Sequence, residues 1–408
     1  MTRPSVAIAG AGIAGLAAAL ALSRAGHPVT LVERRTGFSE VGAGLQLSPN
    51  ASRILLDLGL GPALARHVGE PRRVVIRDIA RGRTLAEMPL GEAMRGRFGA
   101  PYWVVHRADL QTILLDAVRA RPDVRLVMGR AVEDVEETRG GVAFALAREN
   151  GARETLRADL ALGADGVWSK LRRLVEGPTG AVPAQYRGYV AWRASVPREA
   201  APAALAGDET GLWLGRRAHV VHYPIAAGAL VNIVCVVQRA SPVDGWATPG
   251  EASALREALP ALAAPLRALI DAARGWLLWS LHDRPAARMA RGRIALVGDA
   301  AHPVLPFLAQ GAALAIEDAA CLARGLAPAE RTGGDAHEPA ADPVAAALAA
   351  YAARRTPRAL KVQNAARANG RVYHAGGPIA LGRDFVLRRM GASGMAERYS
   401  WLYSWRDG

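Results

Sequence analysis

A chain of 408 residues, 51% of them hydrophobic, has room for one large domain or two of ordinary size. Its two cysteines, Cys235 and Cys321, make no disulfide framework and suit a reducing cytoplasm. The formal charge of +14 first suggests nucleic acid or a membrane surface. The lysines, however, are Lys170 and Lys361 alone, and arginine is spread with Ala, Gly and Pro through every segment. With no dense basic run and no interleaved aromatics, a charged surface with a few anion-binding arginines is the better reading.

Residues Ser5 to Leu22 are apolar enough to imitate an export signal or a membrane span, but three spaced glycines interrupt them and a second strand-like run, Pro28 to Val32, follows at once. A strand, a turn and a helix explain the segment better. Val6 to Ala9 reads as a buried strand, Gly10-Ala-Gly12-Ile-Ala14-Gly15 as the turn, and the Ala/Leu-rich stretch to about Arg24 as a helix that Gly26 ends. In such a unit Gly10 permits the turn, Gly12 lets backbone approach a pyrophosphate, and Gly15 lets the helix pack on the strand. The helix start supplies unpaired N–H groups for phosphate, and Glu33 closes the next strand at the right distance to accept from a ribose. A bare GxGxxG is weak, but strand, glycines, helix, strand and acid in order specify a dinucleotide site without deciding which dinucleotide.

Further along, Asn50 to Leu58 shows helical apolar spacing, Ala108 to Arg119 reads as a helix, Val124 to Met128 as a short strand, and Phe144 to Arg157 as a hairpin turning at Glu149-Asn-Gly151. Asp159 to Leu162 is strand-like and leads into Gly163-Ala-Asp165-Gly166-Val-Trp-Ser169-Lys-Leu-Arg172, which is expected to open a helix. From about 181 to 284 the pattern becomes strands with turn residues between them: Tyr189 to Val196, Gly211 to Leu214, Ala218 to Tyr223 and Leu230 to Gln238. Ala252 to Ala273 is helical with interruptions near Pro260 and Pro265. Arg293 to Val297 is another strand, followed by Gly298-Asp299, a loop through His302 and Pro306 to Gln310-Gly311, and a helix from about Ala312. Asp299 at a strand end suits a ribityl hydroxyl, and the start of this helix can hold negative charge on a reduced ring. Residues 327–342, rich in Pro, Gly, Ala and charge, read as a mobile surface loop, and Pro343 to Gly370 as a long helix kinked at Pro357. No internal repeat and no metal-ligand cluster is expected.

These separated pieces resemble the single-component FAD aromatic hydroxylases, the family of para-hydroxybenzoate, salicylate and 3-hydroxybenzoate hydroxylases. The resemblance covers nearly the whole chain and rests on Gly10 to Gly15 with Glu33-Arg34-Arg35, His106-Arg107-Ala-Asp-Leu110, Gly163 to Arg172, and Gly298 to Gly311. It implies an α/β fold with a Rossmann-like FAD domain built from residues 1–72, 101–180 and 285–326, a substrate sheet from 73–100 and 181–284, and a C-terminal helical region, 343–408. It also implies that Gly10, Gly12, Ala14, Gly15, Glu33, Arg107, Asp165, Gly298 and Asp299 contact FAD or shape its site. Pro306 with Gly311, Ala312 and Ala313 lies against the flavin ring, and Val41 to Asn50, including Gly44 and Gln46, is a mobile segment beside it. Arg34 with Arg35 is expected near the pyridine nucleotide. No second GxGxxG occurs, so NADH or NADPH visits without a Rossmann domain of its own.

The substrate then lies over the flavin, beneath the strands of the middle segment. His219 and Tyr223, four apart, share a strand face. The pair resembles one in 3-hydroxybenzoate 6-hydroxylases and 6-hydroxynicotinate monooxygenases, where it contacts the ring hydroxyl. A base there pushes electron density into the ring, and a histidine that titrates near neutral pH suits the task; a half-buried polar strand pair is the bland alternative. His222 points to the other face and His302 reads as structural. Arg193 is the candidate for a substrate carboxylate by bidentate bonding, against an outward strand arginine as the alternative. Two departures matter: Pro306 replaces a glutamine of the 3-hydroxybenzoate enzymes, which leaves regiochemistry open, and Leu47 replaces a histidine of the hydroxynicotinate enzymes, which leaves that identity open. The expected reaction passes hydride from nicotinamide to FAD, and oxygen then gives a C4a-hydroperoxide that attacks the ring. The same machinery on a purine, quinolone, phenazine or isoprenoid, or a flavin-bound redox regulator or antibiotic-sequestering binder, is the alternative. A cytoplasmic monomer or homodimer is expected, with no nucleic acid partner.

Overall fold

The computed structural model describes residues 3–38, 44–177, 182–245, 247–327 and 342–407. The expected loop at 327–342 and the first residues of the segment at 41–50 lie almost wholly, or begin, outside them. Val6–Ala9 sits at the centre of a six-stranded sheet, between Leu160–Gly163 and Val29–Val32, with all three parallel. Ile294–Leu296 extends the sheet in parallel beyond Leu160–Gly163, and Val124–Val127 beyond Val29–Val32. Ala290–Arg291 is an antiparallel edge. These strands are short apolar runs buried on both faces, as parallel strands are. The helix Ile13–Arg24 covers one face together with Arg107–Arg119 and Gly311–Gly325, to which it packs on either side.

This order explains why three distant turns meet. In parallel strands the carboxyl ends lie on one side, and ligands of open α/β sheets bind there. The register pairs Ala9 with Gly163 and Gly163 with Leu296. The turns beginning at Gly10, Ala164 and Val297 therefore leave the sheet at one level.

The second large sheet has eight strands, in the order Thr248–Pro249, Leu277–Asp283, Gln185–Pro197, Leu230–Gln238, Ala218–Ile225, Glu209–Gly215, Arg73–Asp78 and Thr84–Pro89. Trp192, Val220, Ile233 and Cys235 bury one of its faces against the helices Ala252–Ala258 and Ala264–Ala272. The opposite face turns toward the glycine turns. Glu149-Asn-Gly151 makes the expected hairpin between Gly141–Arg148 and Arg153–Ala158, with Gly151 in the left-handed region.

Two expectations about elements change. The segment after Gly163 stays in turns and its helix is only Arg172–Glu176, because Asp165 accepts from the N–H of Lys170 (2.7 Å) and holds the loop as a turn. The long helix runs on from Pro343 to Tyr373, and Pro357 leaves every residue in it helical. Leu277–Asp283, Arg73–Asp78 and Thr84–Pro89 are sheet strands whose mixed patterns gave no clear alternation. Among the described residues no helix is long and apolar enough to cross a membrane, and no cluster of His, Cys, Asp or Glu is set to hold a metal ion. Both cysteines are free and buried.

Candidate active site

A cavity of about 290 Å³ lies between the carboxyl edge of the parallel sheet and the open face of the eight-stranded sheet. Its floor comes from the turns: Gly12, Ile13 and Ala14, then Ala164 and Gly166, then Asp299, and Pro306, Gly311 and Ala312. Gly12 precedes the helix Ile13–Arg24, and no side chain caps it; a Cβ placed on Gly12 would meet nothing within 4 Å. The helix Gly311–Gly325 likewise has no side-chain cap. Two sets of helix-start N–H groups with open space before them, plus the Arg107 guanidinium, fit a diphosphate and an anionic ring. Burial raises the Asp299 carboxyl, partly countered by His302, Arg107 and Arg172.

Other expected cofactor residues shape this floor without lining it. A Cβ on Gly15 would sit 1.9 Å from the Gly10 carbonyl oxygen, and one on Gly10, where φ is +102°, would sit 2.5 Å from that of Ala164. Both therefore serve close backbone approach. Glu33 accepts from the N–H of Ala11 (2.8 Å) and of Arg35 (3.0 Å), bracing the turn from the next strand. Asp165 folds its loop, Ala313 is wholly buried, and Arg34 is exposed and does not line the cavity. Arg172, the last residue of the third motif, donates to the carbonyls of Ala300 (2.7 Å) and Asp299 (2.8 Å), tying that loop to the Gly298 turn.

The ceiling follows from strand register. Arg193, Val234 and Val221 stand side by side on three neighbouring strands. The next row on one side is Ala191, Val236 and His219, and on the other Ser195, Asn232 and Tyr223. Arg193, Val221, Val234, Val236, His219 and Tyr223 line the cavity. His222, one step off in register, is buried on the other face, beneath Trp213. Asn232 accepts from the Gly44 N–H (2.8 Å), and a Cβ on Gly44 would lie 2.5 Å from the Tyr223 ring. Gln46 accepts from the Tyr102 hydroxyl (2.5 Å), and its amide also faces Tyr223, whose phenol burial pushes well up. Tyr223 is therefore a neutral hydrogen-bonding group here.

Arg193 has an unusual setting. Its Nε is enclosed without a hydrogen-bond partner, and among the described residues no carboxylate pairs with the guanidinium. It lies over the Trp279 ring, 5.2 Å from the centroid. Burial, then Arg107, disfavours its charge, opposed by Tyr223. A half-buried guanidinium that faces a cavity, with its Nε enclosed and no counter-charge, is set to take an anion.

His219 needs correction as a base that titrates near neutral pH. It is 3% exposed, and burial followed by the neighbouring His374 holds it well below the usual histidine range. The ring is neutral at pH 7. Its Nδ1 is engaged by His374 Nε2 at 2.7 Å, which leaves Nε2 for a ligand.

A buried polar network that sequence patterns do not show fixes the flavin-side loops. Arg355 donates to Asp318 (2.8 Å) and Glu317 (2.7 Å), and Arg358 to Glu317 (2.8 Å). Asp318 accepts from the Gly298 N–H (2.9 Å) and pairs with His302 (2.7 Å), which is thus structural. Asn50 donates to Glu317 (2.6 Å) and Gln310 (3.0 Å), and Gln310 to Ser48 (2.9 Å). One cluster so holds the Asp299 turn, the start of the Gly311 helix and the strand carrying Gly44 and Gln46. Asn232 was visible as the polar residue in an apolar strand; Arg355 and His374 carried no such signal.

Comparison with known proteins agrees with this geometry. A family model described as "FAD binding domain" matches residues 3–366. The chain is 32% identical over 404 residues to a 3-hydroxybenzoate 6-hydroxylase of Polaromonas naphthalenivorans, covering 99% of this chain and 96% of that one. It is 36% identical over 371 residues to a 6-hydroxynicotinate 3-monooxygenase of Pseudomonas fluorescens, covering 90% and 91%. The crystal structure of Klebsiella pneumoniae HpxO complexed with FAD and uric acid superposes with a TM-score of 0.82 at 28% identity, covering 98% and 96%.

Proposed function

We propose that this chain, which belongs to the FAD-binding-domain family and is an FAD-dependent monooxygenase of the aromatic hydroxylase type, acts on a small ring bearing both an ionisable hydroxyl and a carboxylate. A hydroxybenzoate, a salicylate or a hydroxypyridine-carboxylate has this chemistry, and NADH or NADPH and oxygen are the co-substrates. The observation that carries the reading is Arg193: a half-buried guanidinium over the cavity, its Nε enclosed and without a carboxylate partner among the described residues, in the same cross-strand grid as His219 and Tyr223.

In this reading residues 1–72, 101–180 and 285–326 hold the cofactor, and 73–100 with 181–284 cover it. Bound FAD supplies hydride acceptance and oxygen activation. Arg193 takes the carboxylate in a two-pronged bond and so sets the ring's orientation. Tyr223 and His219 Nε2 meet the ring hydroxyl, and removal of its proton raises electron density in the ring. Val221, Val234 and Val236 keep water off the ring face. Gly12, Arg107 and the uncapped start at Gly311 hold the diphosphate and the anionic ring edge. A purine anion is the second reading, favoured by the uric acid held in the Klebsiella neighbour.

An aromatic panel scored by product mass and oxygen uptake separates the two. A hydroxylated acid gaining one oxygen atom, with accelerated NADH oxidation, is the expected result. If purified yellow protein oxidises NADH at one rate whatever hydroxyaryl acid is present, and forms no hydroxylated product, the substrate assignment is wrong.

A further inference from the structure

We propose that His374 completes a proton path that carries the substrate hydroxyl's proton through His219 to a surface cleft beside the turn at Arg216 and Arg217. This rests on the reading that the substrate bears a ring hydroxyl at His219. Four observations place the path.

The first is the direct ring-to-ring bond, Nδ1 of His219 to Nε2 of His374 at 2.7 Å. Two ring nitrogens at that distance share one proton. Nothing else among the described residues is bonded to His219 Nδ1, so this histidine is oriented by a second imidazole where a carboxylate would be usual. Second, His374 caps the helix Pro343–Tyr373 and is held there by its own carbonyl, which accepts from the Arg217 N–H at 3.0 Å. Third, its remaining nitrogen, Nδ1, is buried without a protein partner, beside an open cleft of about 510 Å³ that His374 lines with Arg216, Arg217, Gly376 and Gly377. Fourth, Phe307, Tyr189 and Tyr373 pack around the pair, with ring centroids 4.9 to 5.6 Å from one or other imidazole. Aromatic walls of this kind leave the imidazoles themselves as the connection.

The chemistry balances without charging either ring. The pair begins with a proton on Nδ1 of each histidine. The substrate O–H gives its proton to His219 Nε2, the His219 Nδ1 proton passes to His374 Nε2, and the His374 Nδ1 proton leaves to a water that enters from the cleft and bonds to that unpaired nitrogen. The products are the aryl oxide, a hydrated proton and two neutral imidazoles in the other tautomer. Protonation of the leaving product along the reverse route restores the start. Burial holds both rings below the usual histidine range, His374 down to about 4, so a proton taken from substrate is passed on, not stored. The arginines beside the cleft favour its release to solvent.

The test mixes oxidised, FAD-loaded protein with 3-hydroxybenzoate in weak buffer and follows a pH-indicator dye by stopped flow. Wild-type protein is expected to release a proton as the ligand binds. In His374→Gln the amide still bonds to His219 Nδ1 but passes no proton, so release slows roughly hundredfold or more while ligand affinity is retained. In His374→Ala free imidazole, entering from the cleft, restores the rate; wild-type protein ignores it. Release at the wild-type rate in both variants, or no response of His374→Ala to imidazole, overturns the path. If either variant loses its flavin, ¹⁵N-histidine spectra of wild-type protein decide: ligand must switch the tautomer at both rings, and a switch at His219 alone overturns the path. If wild-type protein binds no hydroxyaryl acid at all, it is the substrate reading that has failed.

Discussion

Replacing Arg193 with methionine tests the reading of the site through two quantities that move in opposite directions. In the free protein the guanidinium has an enclosed Nε without a partner, and the Trp279 face 5.2 Å away is its visible compensation. That contact is worth about 1–2 kcal/mol, and a methionine sulfur on the same ring recovers about 0.3–1.5 kcal/mol. Removing a buried charge that has no counter-charge also lifts a desolvation cost. Arg193→Met is therefore expected to unfold at the wild-type temperature or above it. For a carboxylated ligand the balance reverses. Truncating one side of a buried, hydrogen-bonded charge pair costs roughly 2–5 kcal/mol, and tenfold in Kd is about 1.4 kcal/mol. The dissociation constant of 3-hydroxybenzoate should rise roughly 30-fold to several-thousand-fold, while that of phenol, which lacks the carboxylate, stays near wild type. Titration of the flavin absorbance with both ligands, beside a thermal melt, gives all three numbers. Equal losses for the two ligands, or a melt several degrees lower, would show that Arg193 is a packing residue and refute the argument.

Three further outcomes follow from named contacts. His219→Ala and Tyr223→Phe should lower hydroxylated product per NADH oxidised, with bound flavin retained; unchanged coupling in both removes them from the chemistry. Gly15→Ala forces a Cβ to within 1.9 Å of the Gly10 carbonyl, so the turn opens and the protein should purify without yellow colour, which an absorbance ratio checks. Arg355→Met leaves Glu317 and Asp318 buried without the cation they share, at a cost of about 3–5 kcal/mol in denaturant unfolding at pH 7. The pH dependence has a definite sign. Against the burial that alone would raise them, Arg355 and Arg358 hold Glu317 below its ordinary value of 4.5, and His302 and Arg355 hold Asp318 below 3.8. Their contribution is thus present above about pH 4.5 and lost as pH falls through the folded values. In Arg355→Met the two carboxyls lose that support, so lowering the pH from 7 toward 4 should narrow the stability gap between variant and wild type. A gap that stays constant across this range would show that the network is not the source.

Much of the cofactor side was legible because its constraints are local. A glycine that must permit φ of +102° or a carbonyl 1.9 Å from its missing Cβ leaves a mark in one residue, and the strand–turn–helix order around Gly10, Gly12 and Gly15 follows from short-range sterics. The same holds for the alternation that put His219 and Tyr223 on one face and His222 on the other. The helix expected after Gly163 failed for an equally local reason that composition hides: one aspartate oxygen captures the N–H groups a helix would have used.

Spacing along the chain therefore determined the strands, the phosphate-binding turn and the shared face of the ceiling. Only the tertiary structure decided which groups would be charged and which would be paired. Register brought Arg193 beside Val234 and Val221 without a counter-ion, Arg355 reached Glu317 and Asp318 across two helices, and the end of a 31-residue helix set His374 on His219. Periodicity cannot carry that information, because the protonation and pairing of a side chain depend on desolvation and on neighbours more than a hundred residues away, as for His219 and His374.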